Sequence, residues 1–476
     1  MTVHAALTLG YLVLVLAASA FATRRASRSA ADFLVAGRSL GLVVCAVVVA
    51  AEWLGGTSTV GVSEQAFTTA SLQPILYNIA TAIGMVIIGF TVAAHYRARR
   101  VHTVSEMIET LFGPGARAIS AVAFLVAYIT LSYVQLQTCA GILAPLLGVS
   151  WTTAVLVSAA VITVYTYVGG MHALAVTGVL YLVTMYLGLG IAFVNGLWSV
   201  GGPAALQERL VAIGGAPAPF NPFGRGLGEA AALLVGGLFG GMAAQASIQP
   251  IFAARDVATA KRAAVLAGLI VAPFGVMTAF LGLIARTGLY FDVTGATDGK
   301  TVLARLLMTP EFIHPFLGGL ALAGVLAAIL STVGPVNFAV VTIAAKDFYH
   351  ARFAPRSDDA KVVAMARRLV VVVAVVTVPL AILARGEVLD TVYISYAIRA
   401  IGAIVVLLAL YARGWITPLG ARLAFGIGAP AVLLSAVGSR LGWFDVDKTF
   451  VSVGATIAIV GTTTLLERWR ARSRTS

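Results

Sequence analysis

Ala50 to Gly61 reads AAEWLGGTSTVG. A carboxylate, Glu52, then Trp53, then the pair Gly55 and Gly56 interrupt an apolar run that begins at Leu42. A charged side chain at membrane depth is costly and usually faces a cavity or a partner. Adjacent glycines weaken a helix. Unwound backbone inside a bilayer must line a cavity or be buried in protein. The chemistry on offer is therefore ion and solute binding by oxygen atoms: freed carbonyls, the Glu52 carboxylate and the hydroxyls of Thr57 and Ser58. A second segment, LLVGGLFGGMAAQASIQP, repeats the pattern with Gly236-Gly237 and Gly240-Gly241, followed by Gln245, Ser247 and Gln249. A third feature is Arg399, about eleven residues into another apolar run, hence near the bilayer middle at roughly 1.5 Å per residue. Insertion there costs on the order of 3 kcal/mol, so a partner is expected. A planar guanidinium suits bidentate binding of a carboxylate on a solute. The alternative is an internal ion pair with Glu52 or Asp390.

The elements that carry these residues are membrane helices. The chain has 476 residues, 60% hydrophobic and 11% charged, whereas soluble domains carry about 25% charged residues. Thirteen apolar runs of spanning length are expected, at 4–22, 41–62, 72–95, 117–138, 151–169, 177–200, 229–252, 263–285, 313–345, 366–384, 388–411, 419–438 and 449–466. The ninth is too long for one straight span, and Pro335 is expected to kink it. The formal charge of +13 comes from Lys and Arg in short loops, which argues against a nucleic-acid partner. Most of the 32 basic residues fall in alternate loops, and that asymmetry puts the N-terminus outside and the C-terminus in the cytoplasm. Cys45 and Cys139 lie in or beside apolar runs and imply neither a disulfide framework nor a metal cluster. The first run has no convincing cleavage site and reads as a retained helix.

Paired, glycine-interrupted spans at corresponding places in two halves point to a transporter site. The second and seventh spans are five apart. Spans 2–6 (41–200) and 7–11 (229–411) then form two units of inverted topology, with two peripheral helices and a basic tail over 412–476. All of 1–476 is one transporter domain, all-α and integral to the membrane, with the layout of a LeuT-type carrier. A blander reading of each glycine pair is close helix packing.

Four segments resemble the sodium:solute symporter family, which includes carriers of proline, sialic acid, sugars and monocarboxylates. They are ADFLVAGRSLG (31–41), YTYVGGMHALAVTGVLY (165–181), IQPIFAARDVATAKRAAVLAG (248–268) and LAGVLAAILSTVGPVNFAVVTIAAKDFY (322–349). The resemblance implies a sodium site made by the carbonyls of Ala51 and Leu54 and by Ala328, Ser331 and Thr332. Their spacing agrees, because residues at i, i+3 and i+4 share one helix face. It also implies a single sodium. Members with a second site resemble one another in side-chain oxygens at positions that here read Gly178, Gly334 and Pro335. Two further departures stand out. Glu52-Trp53 and Arg399 occupy places where the family pattern usually has small or neutral residues.

The chain thus reads as a carrier, not an enzyme: a secondary active transporter importing a small organic solute with sodium, an amino acid or monocarboxylate favoured. Its setting is the plasma membrane, bacterial by composition. No obligatory protein partner is evident. Trp53, Gly55, Gly56, Tyr133, Gln135, Gln137, Met242, Gln245 and Arg399 are expected to wall the solute path. Proton coupling through Glu52 or Glu64 is the alternative. A membrane sensor is another, although only a short tail follows the last span, leaving no room there for a signalling module.

Overall fold

The computed structural model describes residues 2–26, 39–99, 101–168, 171–214, 218–293, 298–353, 359–384, 386–444 and 446–473. Most of 31–41, the first family-like segment, lies outside them. Among the described residues the chain is helical, with one isolated β-bridge between Leu40 and Ala254. Every expected apolar run contains helix. We number the spans α1 (Val3–Ala26), α2 (Leu42–Trp53 and Thr57–Thr69), α3 (Ile75–Phe90), α4 (Pro114–Leu147), α5 (Trp151–Val168), α6 (Met171–Ser199), α7 (Leu227–Met242 and Gln245–Phe252), α8 (Val257–Val271 and Phe274–Arg286), α9 (Pro315–Ile343), α10 (Asp359–Leu383), α11 (Val388–Tyr411), α12 (Pro418–Arg440) and α13 (Lys448–Ser473). Among the described residues ten helices are long and apolar enough to cross a membrane, and the bent pair of α2 adds an eleventh. The helices α3 and α5 are apolar but shorter.

Burial sorts these helices into a core and a periphery. The spanning windows of α11 and α9 are 89% and 83% buried, whereas those of α1, α10 and α13 are 28%, 28% and 33% buried. The polar features singled out in the sequence sit on the central set: α2, α4, α7, α9 and α11. Outer helices can present apolar side chains all round to lipid. Central ones must satisfy every polar group against protein.

The expectation about the α7 glycines needs correction, whereas the long ninth run is one helix, as expected from its length. Helix α9 carries Pro335 inside it. It runs on to Ile343 and continues as π-helical turns over Ala344–Phe353. Neither glycine pair breaks α7. The helix passes through both to Met242, and the chain leaves helical geometry at Ala243 (φ −116°, ψ 25°) and Ala244 (φ −78°, ψ 98°). A methyl group on Gly236 would sit 2.7 Å from the Tyr393 ring, and one on Gly240 would sit 2.7 Å from Tyr396. In α7 the glycines therefore buy close approach to α11, the packing role, and the break follows them.

Candidate site at two broken helices

The break in α2 is where the sequence placed it. The helix stops at Trp53, and Leu54 turns out of it (φ −84°, ψ 43°) while its N–H still bonds Ala50 O at 3.1 Å. Gly55 and Gly56 follow, the chain resumes as π-turns from Thr57, and the two halves meet at 52°. Local hydroxyls take up carbonyls at the break: Ser58 donates to Trp53 O at 2.8 Å and Thr59 to Gly55 O at 3.0 Å. The glycines admit neighbours here too. A Cβ on Gly55 would fall 1.8 Å from Thr332 Oγ1, and one on Gly56 would fall 2.2 Å from Thr138 Oγ1.

That approach lets α9 hydroxyls reach α2 carbonyls. Ser331 Oγ donates to Ala51 O at 2.6 Å and to Ala328 O at 2.7 Å. Thr332 Oγ1 donates to Glu52 O. Ala51, Ala328, Ser331 and Thr332 are thus brought together as the resemblance implied. Glu52, rather than Leu54, offers the second α2 carbonyl on Thr332. The donor set is all oxygen and neutral, and its α2 carbonyls come from the last helical turn before the break; broken-helix carriers hold Na⁺ with carbonyls freed at such ends. Among the described residues no cluster of three or more His, Cys, Asp or Glu could hold another metal.

Glu52 also joins the two breaks. Its side chain is buried, and its Oε2 accepts the hydroxyl of Ser247 from the second half of α7. One residue therefore has its backbone on α9 and its carboxylate on α7. The sequence contained Ser247 but gave no sign of this pairing.

Arg399 is 1% exposed. Its guanidinium carbon lies 4.1 Å from the Tyr396 ring centroid, 5.7 Å from Tyr128 and 5.8 Å from Trp53. Its Nε and Nη2 have no hydrogen-bond partner. Among the described residues it makes no ion pair. Asp390 is held instead by Lys448 and by Arg440, the latter at 3.4 Å, and Glu52 is held by Ser247. Neither expected acid lies within ion-pair distance of it, although the Glu52 charge acts on the guanidinium and Tyr128 hydrogen-bonds it. Tyr396 and Tyr128 are residues the sequence reading missed. Tyr396 lies three positions before Arg399, on the same helix face, and that spacing was the available signal. Tyr396 shares a 2.7 Å hydrogen bond with Tyr77, and Tyr128 accepts the Ala246 N–H at 3.3 Å.

Other expected wall residues disperse. Gln135 faces the break, donating to Thr57 at 3.4 Å. Gln137 turns away to the carbonyls of Ala381 and Ala384 beside α10. Tyr133 and Met242 are buried, Met242 at the last turn before the α7 break. Gln245 lies on the far side of the break, where its amide accepts from Val104 N at 2.7 Å and donates to His102 O at 2.8 Å. Nearby, Arg117 binds Asp347 at 2.7 Å, Glu109 at 2.6 Å and Glu106 at 3.4 Å. Burial alone would raise the Glu106 carboxyl, but the hydrogen bonds and charge of His102, with Arg117, outweigh it and hold it at about 2. At the opposite face Glu64 accepts from Val388 N at 2.9 Å and pairs with Lys300 at 3.4 Å.

Comparison with known proteins follows the same lines. The family model described as Sodium:solute symporter family matches residues 33–426. The chain is 24% identical to the sodium/proline symporter of Escherichia coli (strain K12), over 92% of this chain and 89% of that one. It is 26% identical to the high-affinity proline transporter PutP of Bacillus subtilis (strain 168), over 87% and 88%. A solved Na⁺-coupled sialic acid symporter, substrate-bound and outward-open, superposes with a TM-score of 0.82 at 16% identity, covering 98% of each chain.

Proposed function

The chain belongs to the sodium:solute symporter family and couples movement of a small solute to sodium, and from that premise we propose how its own residues divide the work. Sodium is held at the α2–α9 contact by Ala51 O, Ala328 O, Ser331 Oγ and Thr332 Oγ1, with Glu52 O beside them. The solute binds at the paired breaks and carries a carboxylate, which Arg399 receives through Nε and Nη2. Trp53, Tyr128 and Tyr396 flank it. Amino acids come first in this reading, because proline is what the two named sequence relatives carry; monocarboxylates come second. Residues 41–200 and 229–411 act as inverted repeats, the N-terminus lies outside, and the multi-pass chain works in the plasma membrane.

One observation carries the reading: a guanidinium buried to 1% exposure with two nitrogens unpartnered and no carboxylate within ion-pair distance. Leaving such donors buried costs on the order of 1–3 kcal/mol, more when charged. The test is sodium-driven uptake into proteoliposomes, at fixed external pH, of L-proline, L-alanine, L-lactate and D-glucose. Arg399→Lys keeps charge but loses the fork. It should raise KM for the carboxylate solute by about ten- to a hundredfold, the worth of roughly 1.5–3 kcal/mol, at near-normal folded yield. A preference for glucose over every carboxylate ends this role for Arg399. Uptake that follows a proton gradient and ignores sodium ends the placement of the coupling ion.

A further inference from the structure

A groove of about 660 Å³ opens between α4 and α12. Ile119, Val122 and Val126 line one wall, and Phe425, Ala429 and Leu433 the other. On each helix these residues recur at helical spacing and mark one face. Val122 and Leu433 are exposed, so the groove faces outward, whereas Phe425 is buried and meets Phe124 edge-on at 5.6 Å. Each wall rises roughly 12 Å, at 1.5 Å per residue. That is less than half of a hydrocarbon core about 30 Å thick, so the groove belongs to one leaflet.

One end of it is polar. Asp347 and Phe348, from the π-turns after α9, complete the lining there. Arg117 of α4 donates to Asp347 Oδ1 at 2.7 Å, and the charge asymmetry assigns this end to the cytoplasm. Asp347 Oδ2 is buried and has no hydrogen-bond partner. A buried carboxylate oxygen without a donor is a cost that a ligand donor would remove. Asp347, Glu106 and Glu109 all meet the Arg117 guanidinium, and a corner with that surplus of carboxylates favours a further cation. On α12 the apolar face continues one turn toward the same end, to Arg422. That side chain is exposed, bonds Pro418 O through Nε at 3.2 Å and pairs with no acid among the described residues. Its Cδ would lie 3.4 Å from a Cβ on Gly115, so it crosses from α12 to α4 at the mouth of the groove.

We propose that this groove binds phosphatidylethanolamine of the cytoplasmic leaflet, with one acyl chain between α4 and α12, the phosphate on Arg422 and the primary ammonium on Asp347 Oδ2. A basic side chain at the cytoplasmic mouth of a pocket between membrane helices suits a lipid phosphate. The unfilled carboxylate oxygen selects a head that carries N–H donors. Phosphatidylcholine has a quaternary ammonium with none, and phosphatidylglycerol brings a net anion to a corner rich in carboxylates. The site is independent of the solute and sodium assignments, and either can fail alone.

Native mass spectrometry of the full chain, freed of copurified lipid in detergent micelles, tests this. It is titrated with the phosphatidylethanolamine, phosphatidylcholine and phosphatidylglycerol that share palmitoyl and oleoyl chains, so that only the head differs. The first molecule of phosphatidylethanolamine should bind about tenfold or more tighter than either of the others. Gly426→Phe fills the groove from its exposed side, and Arg422→Gln removes the phosphate partner; each should weaken that binding about tenfold. Arg422→Lys should restore most of it. Asp347→Asn keeps an oxygen for Arg117 but puts a donor in place of the free acceptor, so the preference over phosphatidylcholine should collapse toward one. Matching unfolding midpoints exclude a folding defect. Binding of the three lipids within about twofold of one another overturns the proposal, as does a preference for phosphatidylglycerol. Tight phosphatidylethanolamine binding that survives both Gly426→Phe and Arg422→Gln places the lipid elsewhere and overturns it too.

Discussion

Thr332 bears on both the packing and the ion. Its hydroxyl reaches Glu52 O only because residue 55 has no side chain. Two predictions follow at this scale. Ser331→Ala and Thr332→Ala each remove one hydroxyl from the α2–α9 contact, so half-saturation by sodium should rise about tenfold or more, the worth of a hydrogen bond or ligand of some 1–1.5 kcal/mol. Solute affinity at saturating sodium should change much less. Unchanged sodium activation of uptake in both variants would remove them from the site. The glycines give a paired test by thermal unfolding. Gly55→Ala drives a methyl to 1.8 Å of Thr332 Oγ1 and should sharply lower folded yield. Gly241→Ala meets Trp53 at 3.6 Å, ordinary contact, and lies inside a helix. It should be neutral or stabilising by up to about 1 kcal/mol.

At the scale of elements, the second half of α7 is tied to the Val104–Phe112 helix through Gln245, and that helix is tied to α4 and to the π-turns after α9 through Arg117 and Asp347. These links fasten the cytoplasmic face assigned by charge. Asp347 has a fully buried side chain, so Arg117→Gln strands a charge, a loss of about 3–5 kcal/mol where a buried pair is broken. Its expected result is a shift toward inner opening. A thiol placed by Ala244→Cys should then react faster with a maleimide, and adding Asp347→Asn should partly reverse the gain. Equal labelling rates with and without Arg117→Gln would show that the cluster does not hold the face closed. The Glu106 carboxyl, ordinarily near 4.5, is held at about 2. Its folded pKa lies below its unfolded one, so its contribution is whole above about pH 4.5 and is lost as pH falls toward about 2. Unfolding midpoints of wild type and Glu106→Gln should accordingly converge over that acid window.

For the whole molecule, the expected stoichiometry follows from where oxygens are missing. Gly178 packs against Val48 and Gly334-Pro335 offer no side-chain oxygen, so labelled sodium and solute should enter proteoliposomes in a ratio of about one. A reproducible ratio near two would require a further site. What the sequence determined by itself was set by solvent. Lipid demands long apolar helices, and their runs were legible, as was the α2 break, where a carboxylate and two glycines coincide. So was the face of α9 carrying Ala328, Ser331 and Thr332, since i, i+3 and i+4 is a local rule. The α7 break was legible, but its place after both glycine pairs was not. Glycines sit inside a helix as readily as they end one when a neighbour such as Tyr393 or Tyr396 needs the space. Nor could the sequence assign partners. Gln137 and Gln245 are polar residues on the expected spans, yet one turns to α10 and the other to the loop at Val104. Arg399 was visible as a cost, but the sequence did not show that Lys448 and Arg440 hold Asp390 or that the Glu52 carboxylate bonds Ser247. Which groups meet across helices separated by hundreds of residues depends on how the helices cross and rotate, and that was decided only when the core packed.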